Sequence, residues 1–192
     1  DPCVFRYKKE RALAQVKAAR DAGADIVIFS LHYGAEYKTK PTKKEVQLMH
    51  DLCDGGVDIV FGHHAHVLRP VELYRAADGR LTAIAYGLGN FISNQSRHYI
   101  HGVWPKEKGN PRDGVIMRLA VERVDYGDGQ QLTELADLSV MPLWTDNNAS
   151  ARKRDSKLPV VIKLVANRRE IERLERQLAD SALDEKQRQA TK

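Results

Sequence analysis

The residues best suited to chemistry in this chain are histidines. Seven are present, and four fall in two places: His32, directly after the apolar run at 26–31, and His63, His64 and His66, directly after the run at 58–61. Neutral imidazole is a good ligand for zinc, iron, manganese and related divalent ions. A His-x-His pair on an extended segment sends both rings to one side, because strand side chains alternate. His64 and His66 have that spacing, and His32 from a neighbouring strand would converge on the same edge. Two divalent ions held there would polarise a phosphoryl or carbonyl oxygen and make hydroxide near neutral pH. The chemistry implied is metal-assisted hydrolysis. An isolated histidine is more often structural, so His50, inside the second helix, is not counted as a ligand, and His98 and His101, which flank a loop, are accessory ligands at most.

The elements that must position these rings are legible as a repeat. Residues 7–22 are rich in Ala, Lys and Arg with Ala12, Val16 and Ala19 at helical spacing, and end at Gly23. Residues 25–31 then form a β-branched, apolar run of the kind buried on both faces in parallel sheets. The pattern recurs. Thr42-Lys43-Lys44-Glu45 reads as a capping box, the helix it opens runs to about Cys53, Gly55-Gly56 stops it, and 58–61 makes a second buried strand. Asp21-Ala22-Gly23-Ala24-Asp25-Ile26-Val27-Ile28 and Asp54-Gly55-Gly56-Val57-Asp58-Ile59-Val60-Phe61 are two copies of one helix-Gly-strand unit. A right-handed crossover would make the strands parallel and bring the histidines to one C-terminal edge, where open α/β sheets bind ligands.

Farther on, 81–86 reads as a strand ending in Gly87-Leu88-Gly89-Asn90, 93–113 as a long loop, and 115–121 with 132–143 as an antiparallel hairpin. Residues 146–158 are polar, as in a linker or surface loop. A terminal amphipathic helix is expected within 159–192, with Ile171, Leu174 and Leu178 as its apolar stripe, docking on the domain or on a second copy.

With 192 residues, 42% hydrophobic and 30% charged, the chain has the composition of a folded globular domain rather than a disordered or fibrous one. No apolar run approaches the roughly 18–20 residues of a membrane-spanning helix. Cys3 and Cys53 are too few for a disulfide framework. The net charge of +5 comes largely from the C-terminal region, where Glu170, Glu172 and Glu175 balance the arginines as on a salt-bridged helix face, so nucleic-acid binding is disfavoured. The opening Asp1-Pro2-Cys3, without an initiator Met, reads as a piece of a longer protein.

Three stretches in order, Ser30-Leu31-His32-Tyr33-Gly34-Ala35-Glu36-Tyr37, Gly62-His63-His64-Ala65-His66-Val67-Leu68 and Tyr86-Gly87-Leu88-Gly89-Asn90-Phe91, resemble motifs of the CapA family. That family is a branch of the calcineurin-like metallophosphoesterases linked to poly-γ-glutamate capsule synthesis. The resemblance, over 1–145, implies part of an α/β sandwich: two βα units with parallel strands, then antiparallel strands and a C-terminal helix. It implies a two-metal site (manganese, iron or zinc) with His32, His64 and His66 as ligands, His63 as a further ligand or a transition-state donor, and Glu36 and Asn90 lining the site. It also implies a phosphoester or anionic-polymer substrate and a place in the cell envelope. One departure stands out. The superfamily's earlier Asp and Asn motifs have no counterpart in residues 1–31, so phosphoesterase activity is expected only where an upstream half completes the site. The runner-up readings are a phosphoesterase of unrelated substrate and a non-catalytic envelope factor that binds an anionic polymer through Lys38, Lys40, Lys43 and Lys44.

Overall fold

Helix α1 (Lys9–Asp21) forms where Ala, Lys, Arg and Gln favour it, buries Ala12 and Val16 a turn apart, and ends ahead of Gly23 at φ 88°. In the computed structural model, which describes residues 6–127, 129 and 131–166, the chain then enters β1 (Ile28–His32). The capping box opening α2 (Lys43–Asp54) is formed as expected: Glu45 N–H donates to Thr42 Oγ1 at 3.3 Å, and Thr42 N–H to Glu45 Oε2 at 2.6 Å. Its inner face buries Met49, Leu52 and Cys53, and β2 (Ile59–His63) follows. β1 and β2 are parallel neighbours, with Ile28 opposite Ile59 and His32 opposite His63. The repeat therefore delivers both histidine-bearing ends to one edge in register.

A hairpin not anticipated from the sequence completes this sheet. β3 (Val71–Arg75) pairs antiparallel with β4 (Leu81–Ala85), and β4 runs parallel to β2, in the order β1-β2-β4-β3. The alternation of β3 is weak as a signal because Val71 and Leu73 face outward, 38% and 55% exposed. The core is Leu52, Val57, Val60 and Ile84, all sealed, with α1 and α2 residues packed on them. Gly62 is required where β2 passes the end of β4, since a Cβ there would lie 2.7 Å from the Tyr86 carbonyl oxygen.

The expectation that the first strand begins at Asp25 and is covered on both faces is corrected. Among the described residues β1 starts at Ile28, lies at the end of the sheet order, and buries only Leu31, leaving Ile28 56% exposed. β-branched composition reports an extended backbone, whereas coverage depends on which strands lie beside it.

The chain divides into two compact units: residues up to 65, 69–87 and 118–139 in one, and 66–68, 88–117 and 140 onward in the other. In the second, two short 3₁₀ turns (Lys106–Lys108 and Asn110–Arg112) punctuate the long 93–113 loop. Buried Arg112 anchors this unit, with Nε donating to the Thr145 carbonyl at 2.7 Å and its guanidinium 4.5 Å above the Trp144 ring. β5 (Asp113–Asp125), β6 (Gln131–Asn147) and β7 (Ile162–Ala166) form a three-stranded sheet in that order, with β6 and β7 antiparallel. Between β6 and β7 lies a short helix, α3 (Ala149–Arg154). Residues 162–166, expected to fall in the terminal helix segment 159–192, are thus a strand: the run Val160-Val161-Ile162 favours extended backbone. The stripe of Ile171, Leu174 and Leu178 lies outside the described residues.

Candidate metal centre

The site is built where the parallel strands end. His32 and His63 sit opposite each other as the last residues of β1 and β2, both at the surface. Partial desolvation, reinforced by the neighbouring His32, lowers the pKa of His63. The neutral ring, which is the form that offers a lone pair to a cation, is favoured.

Immediately after β2 the backbone leaves the extended region. His64 has φ 86° and His66 φ 57°, left-handed values that side-chain-bearing residues rarely adopt and that concentrate at functional sites. The alternation argument from the sequence therefore needs correcting: these two histidines are set by a strained turn and not by strand periodicity. Ala65 between them is buried, and its carbonyl accepts from the Tyr37 N–H at 2.8 Å, which ties the turn to the loop after β1. Tyr37 is itself at φ 60°. Along that loop, one carboxylate oxygen of Glu36 and one ring nitrogen of His64 lie within 4.8 Å of each other. The His32 and His64 rings are 4.6 Å apart at 52°. Among the described residues, Glu36, His64 and His66 group as potential metal ligands, while His32 stands against His64 outside that group.

Asn90 fixes the chemistry of His66. Its Nδ2 faces three acceptors, the Pro111 carbonyl at 2.8 Å, Gln95 Oε1 at 3.0 Å and the His66 carbonyl at 3.2 Å. The amide orientation is thereby settled, and Oδ1, an acceptor only, is 3.0 Å from His66 Nδ1. In the neutral ring the proton resides on Nδ1, so the lone pair available to a cation is on Nε2. Asn90 is held by two glycines: a Cβ on Gly89, at φ 71°, would lie 2.3 Å from the Asp113 carbonyl oxygen, and one on Gly114 would lie 2.2 Å from that of Asn90.

Two residues that position the site were missed in the sequence. Arg69, three residues beyond His66, has a side chain only 1% exposed. It donates from Nη1 to Glu45 Oε1 at 2.7 Å, from Nε to the Lys38 carbonyl at 2.7 Å and from Nη2 to the Ala35 carbonyl at 2.8 Å. It thus staples the Glu36 loop on both sides of Glu36. Burial alone would raise the pKa of Glu45, but hydrogen bonds from the Thr42 backbone and Arg69 outweigh it and hold the carboxyl below its ordinary range. Gly34, at φ 109°, makes room for the pair, since a Cβ there would fall 1.9 Å from Glu45 Oε1. The capping box was a fair signal for Glu45, but nothing local marks Arg69.

The remaining histidines are placed elsewhere. His50 stacks on Tyr74 with centroids 4.0 Å apart and lies 3.0 Å from Glu72 Oε2, which also accepts from the Tyr86 hydroxyl. His98 Nε2 accepts from Arg97 Nε at 3.2 Å.

Residues 2–95 match the family described as bacterial capsule synthesis protein PGA_cap. These residues belong to the CapA family. The CapA segment includes His32, Glu36, His63, His64, His66 and Asn90. Relatives include the PGA biosynthesis protein CapA of Bacillus subtilis (strain 168), 44% identical over 72 residues, 38% of this chain and 18% of the relative. The capsule biosynthesis protein CapA of Bacillus anthracis is 37% identical over 86 residues, 43% of this chain and 20% of the relative. The matched stretch thus spans about a fifth of the length of these relatives.

Proposed function

We propose that this chain is part of a protein of poly-γ-glutamate or capsule-polymer biosynthesis, acting in the cell envelope, and that its CapA segment binds divalent cations for phosphoester-type hydrolysis. The observation that carries the metal reading is the grouping of Glu36, His64 and His66 beyond the parallel strands, with Asn90 holding the His66 proton on Nδ1. Two imidazole nitrogens and one carboxylate oxygen suit zinc, iron or manganese, so the donor set fits. Bound there, such ions would supply Lewis-acid polarisation of a phosphoryl oxygen and a nucleophilic hydroxide. The chain's own contribution is orientation: Arg69 fixes the Glu36 loop, Asn90 fixes the His66 ring, and His63, kept neutral, is available to accept or donate a proton at the substrate. Elemental analysis of the wild type and a His64→Ala, His66→Ala double variant tests this, with loss of bound metal as the expected result. Unchanged stoichiometry would reject it.

A second reading, anionic-polymer binding without catalysis, is favoured by one observation. Lys38, Lys40, Lys43 and Lys44 are all exposed, on the loop that carries Glu36 and at the start of α2. It requires polyglutamate to capture the chain in a salt-sensitive way. Among the described residues no helix is long and apolar enough to cross a membrane.

A further inference from the structure

The second unit contains a cavity of about 410 Å³ bordered by the 94–98 loop, the end of β6 with α3, and the residues leading into β7. Arg97, Arg152 and Lys153 line it together with asparagine amides, and no aspartate or glutamate is among its lining residues. Val160 and Val161 contribute an apolar wall, 66% and 37% exposed. Two donors on the lining residues, Arg152 Nε and Asn147 Nδ2, are shut off from water and have no hydrogen-bond partner among the described residues. Buried donors left without an acceptor are destabilising, more so on a charged group, and native proteins almost always satisfy them. Both unmet groups are donors, and the lining carries positive charge with no acidic side chain among its residues.

We infer that this cavity binds a carboxylate carried on a short aliphatic chain. A guanidinium fork beside a neutral amide matches the planar, two-oxygen geometry of a carboxylate. The valine wall favours a hydrocarbon body over a bare inorganic anion, whose desolvation it would not repay. Both donors are closed to water, so binding requires the Arg152 guanidinium and the Asn147 amide each to turn about its own terminal torsions toward the cavity. Apart from Asn94, the residues lining the cavity lie outside the CapA segment, and none belongs to the Glu36, His64 and His66 group, so the inference does not depend on the metal reading.

Nitrogen-15 NMR of the full chain reads both donors directly. Titration with glutarate shifts the Arg152 Nε–H and Asn147 side-chain resonances saturably, and inorganic phosphate binds the same site at least about tenfold more weakly, as loss of one charge-supported contact or an apolar wall implies. Arg152→Gln weakens glutarate binding by about tenfold or more while the remaining spectrum is unchanged. Where that variant fails to fold, the wild-type titrations decide alone. Shifts that do not saturate, phosphate binding as tightly as glutarate, or a folded Arg152→Gln chain with full affinity would each overturn the assignment.

Discussion

The two ends of the parallel strands β1 and β2 carry charge in opposite ways. At the N-terminal end Asp58 accepts from Arg20, from Arg80 at 2.6 Å and from the Val27 N–H at 2.7 Å, a closed network that clamps α1, β1 and β4 around one carboxylate. At the C-terminal end the side chains are imidazoles and Glu36, held in left-handed turns at Tyr37, His64 and His66 with their edges at or near the surface. One end satisfies its polar groups internally with ordinary backbone. The other keeps donor atoms near solvent on a strained one, and strain of this kind persists only where surrounding structure enforces it. Arg69 and Asn90 are that enforcement. The difference separates residues that hold the fold from residues that present ligands.

The sharpest way to break the comparison is at Arg69. Arg69→Ala leaves Glu45 buried without its partner and frees the Glu36 loop, so stability falls by about 3–5 kcal/mol in denaturant unfolding and divalent-cation affinity falls with it. At the opposite end, Asp58→Ala leaves Arg20 and Arg80 half-exposed without their shared carboxylate and lowers stability by about 1–3 kcal/mol. Cation affinity in the folded Asp58→Ala chain is unchanged when read by calorimetric titration. If both variants lose affinity equally, the two ends do not have separate roles. Asn90→Leu has the smaller, selective effect: about 10–100-fold weaker cation binding, with the His66 ring proton no longer confined to Nδ1 by ¹⁵N NMR. Asn90→Asp still accepts from Nδ1 and keeps the ring proton there, but it sets an oxygen against the Pro111, Gln95 and His66 acceptors, so cation affinity is not fully restored.

The smallest effect is with pH. The Glu45 carboxyl is held below its unfolded value by its hydrogen bonds from Thr42 and Arg69. Its contribution is therefore complete above the ordinary glutamate pKa of about 4.3 and is lost as pH falls through the lower folded value. The stability difference between wild type and Glu45→Gln should be constant near neutrality and shrink below about pH 4. A difference that grows on acidification contradicts the ion-pair account.

How much was legible in the sequence follows from which interactions are local. The helix-Gly-strand repeat, the capping box and the crossover rule are local or topological, and they carried His32 and His63 to one edge in register. The repeat also set Asp25 in line with Asp58, yet Asp25 is exposed and Asp58 buried, because Asp58 directly precedes the inner strand β2 and its carboxylate meets two arginines. Arg69 was invisible, since its partners at 35, 38 and 45 lie far back along the chain. The left-handed turn at His64 and His66 was equally hidden, because nothing in Gly-His-His-Ala-His signals a break from alternation. Glu45 was legible as the partner of Thr42 in a capping box, while in the fold the same carboxylate also closes a buried ion pair with Arg69.

The central claim is that Glu36, His64 and His66 bind a divalent cation. Titrating the chain with substoichiometric Mn²⁺ and following paramagnetic broadening of assigned histidine ring signals tests it most directly. The account predicts that the rings of His64 and His66 broaden first, His32 next, and His50, His98 and His101 last. Broadening that begins at His50, His98 or His101, or none at the 64–66 turn, would contradict it.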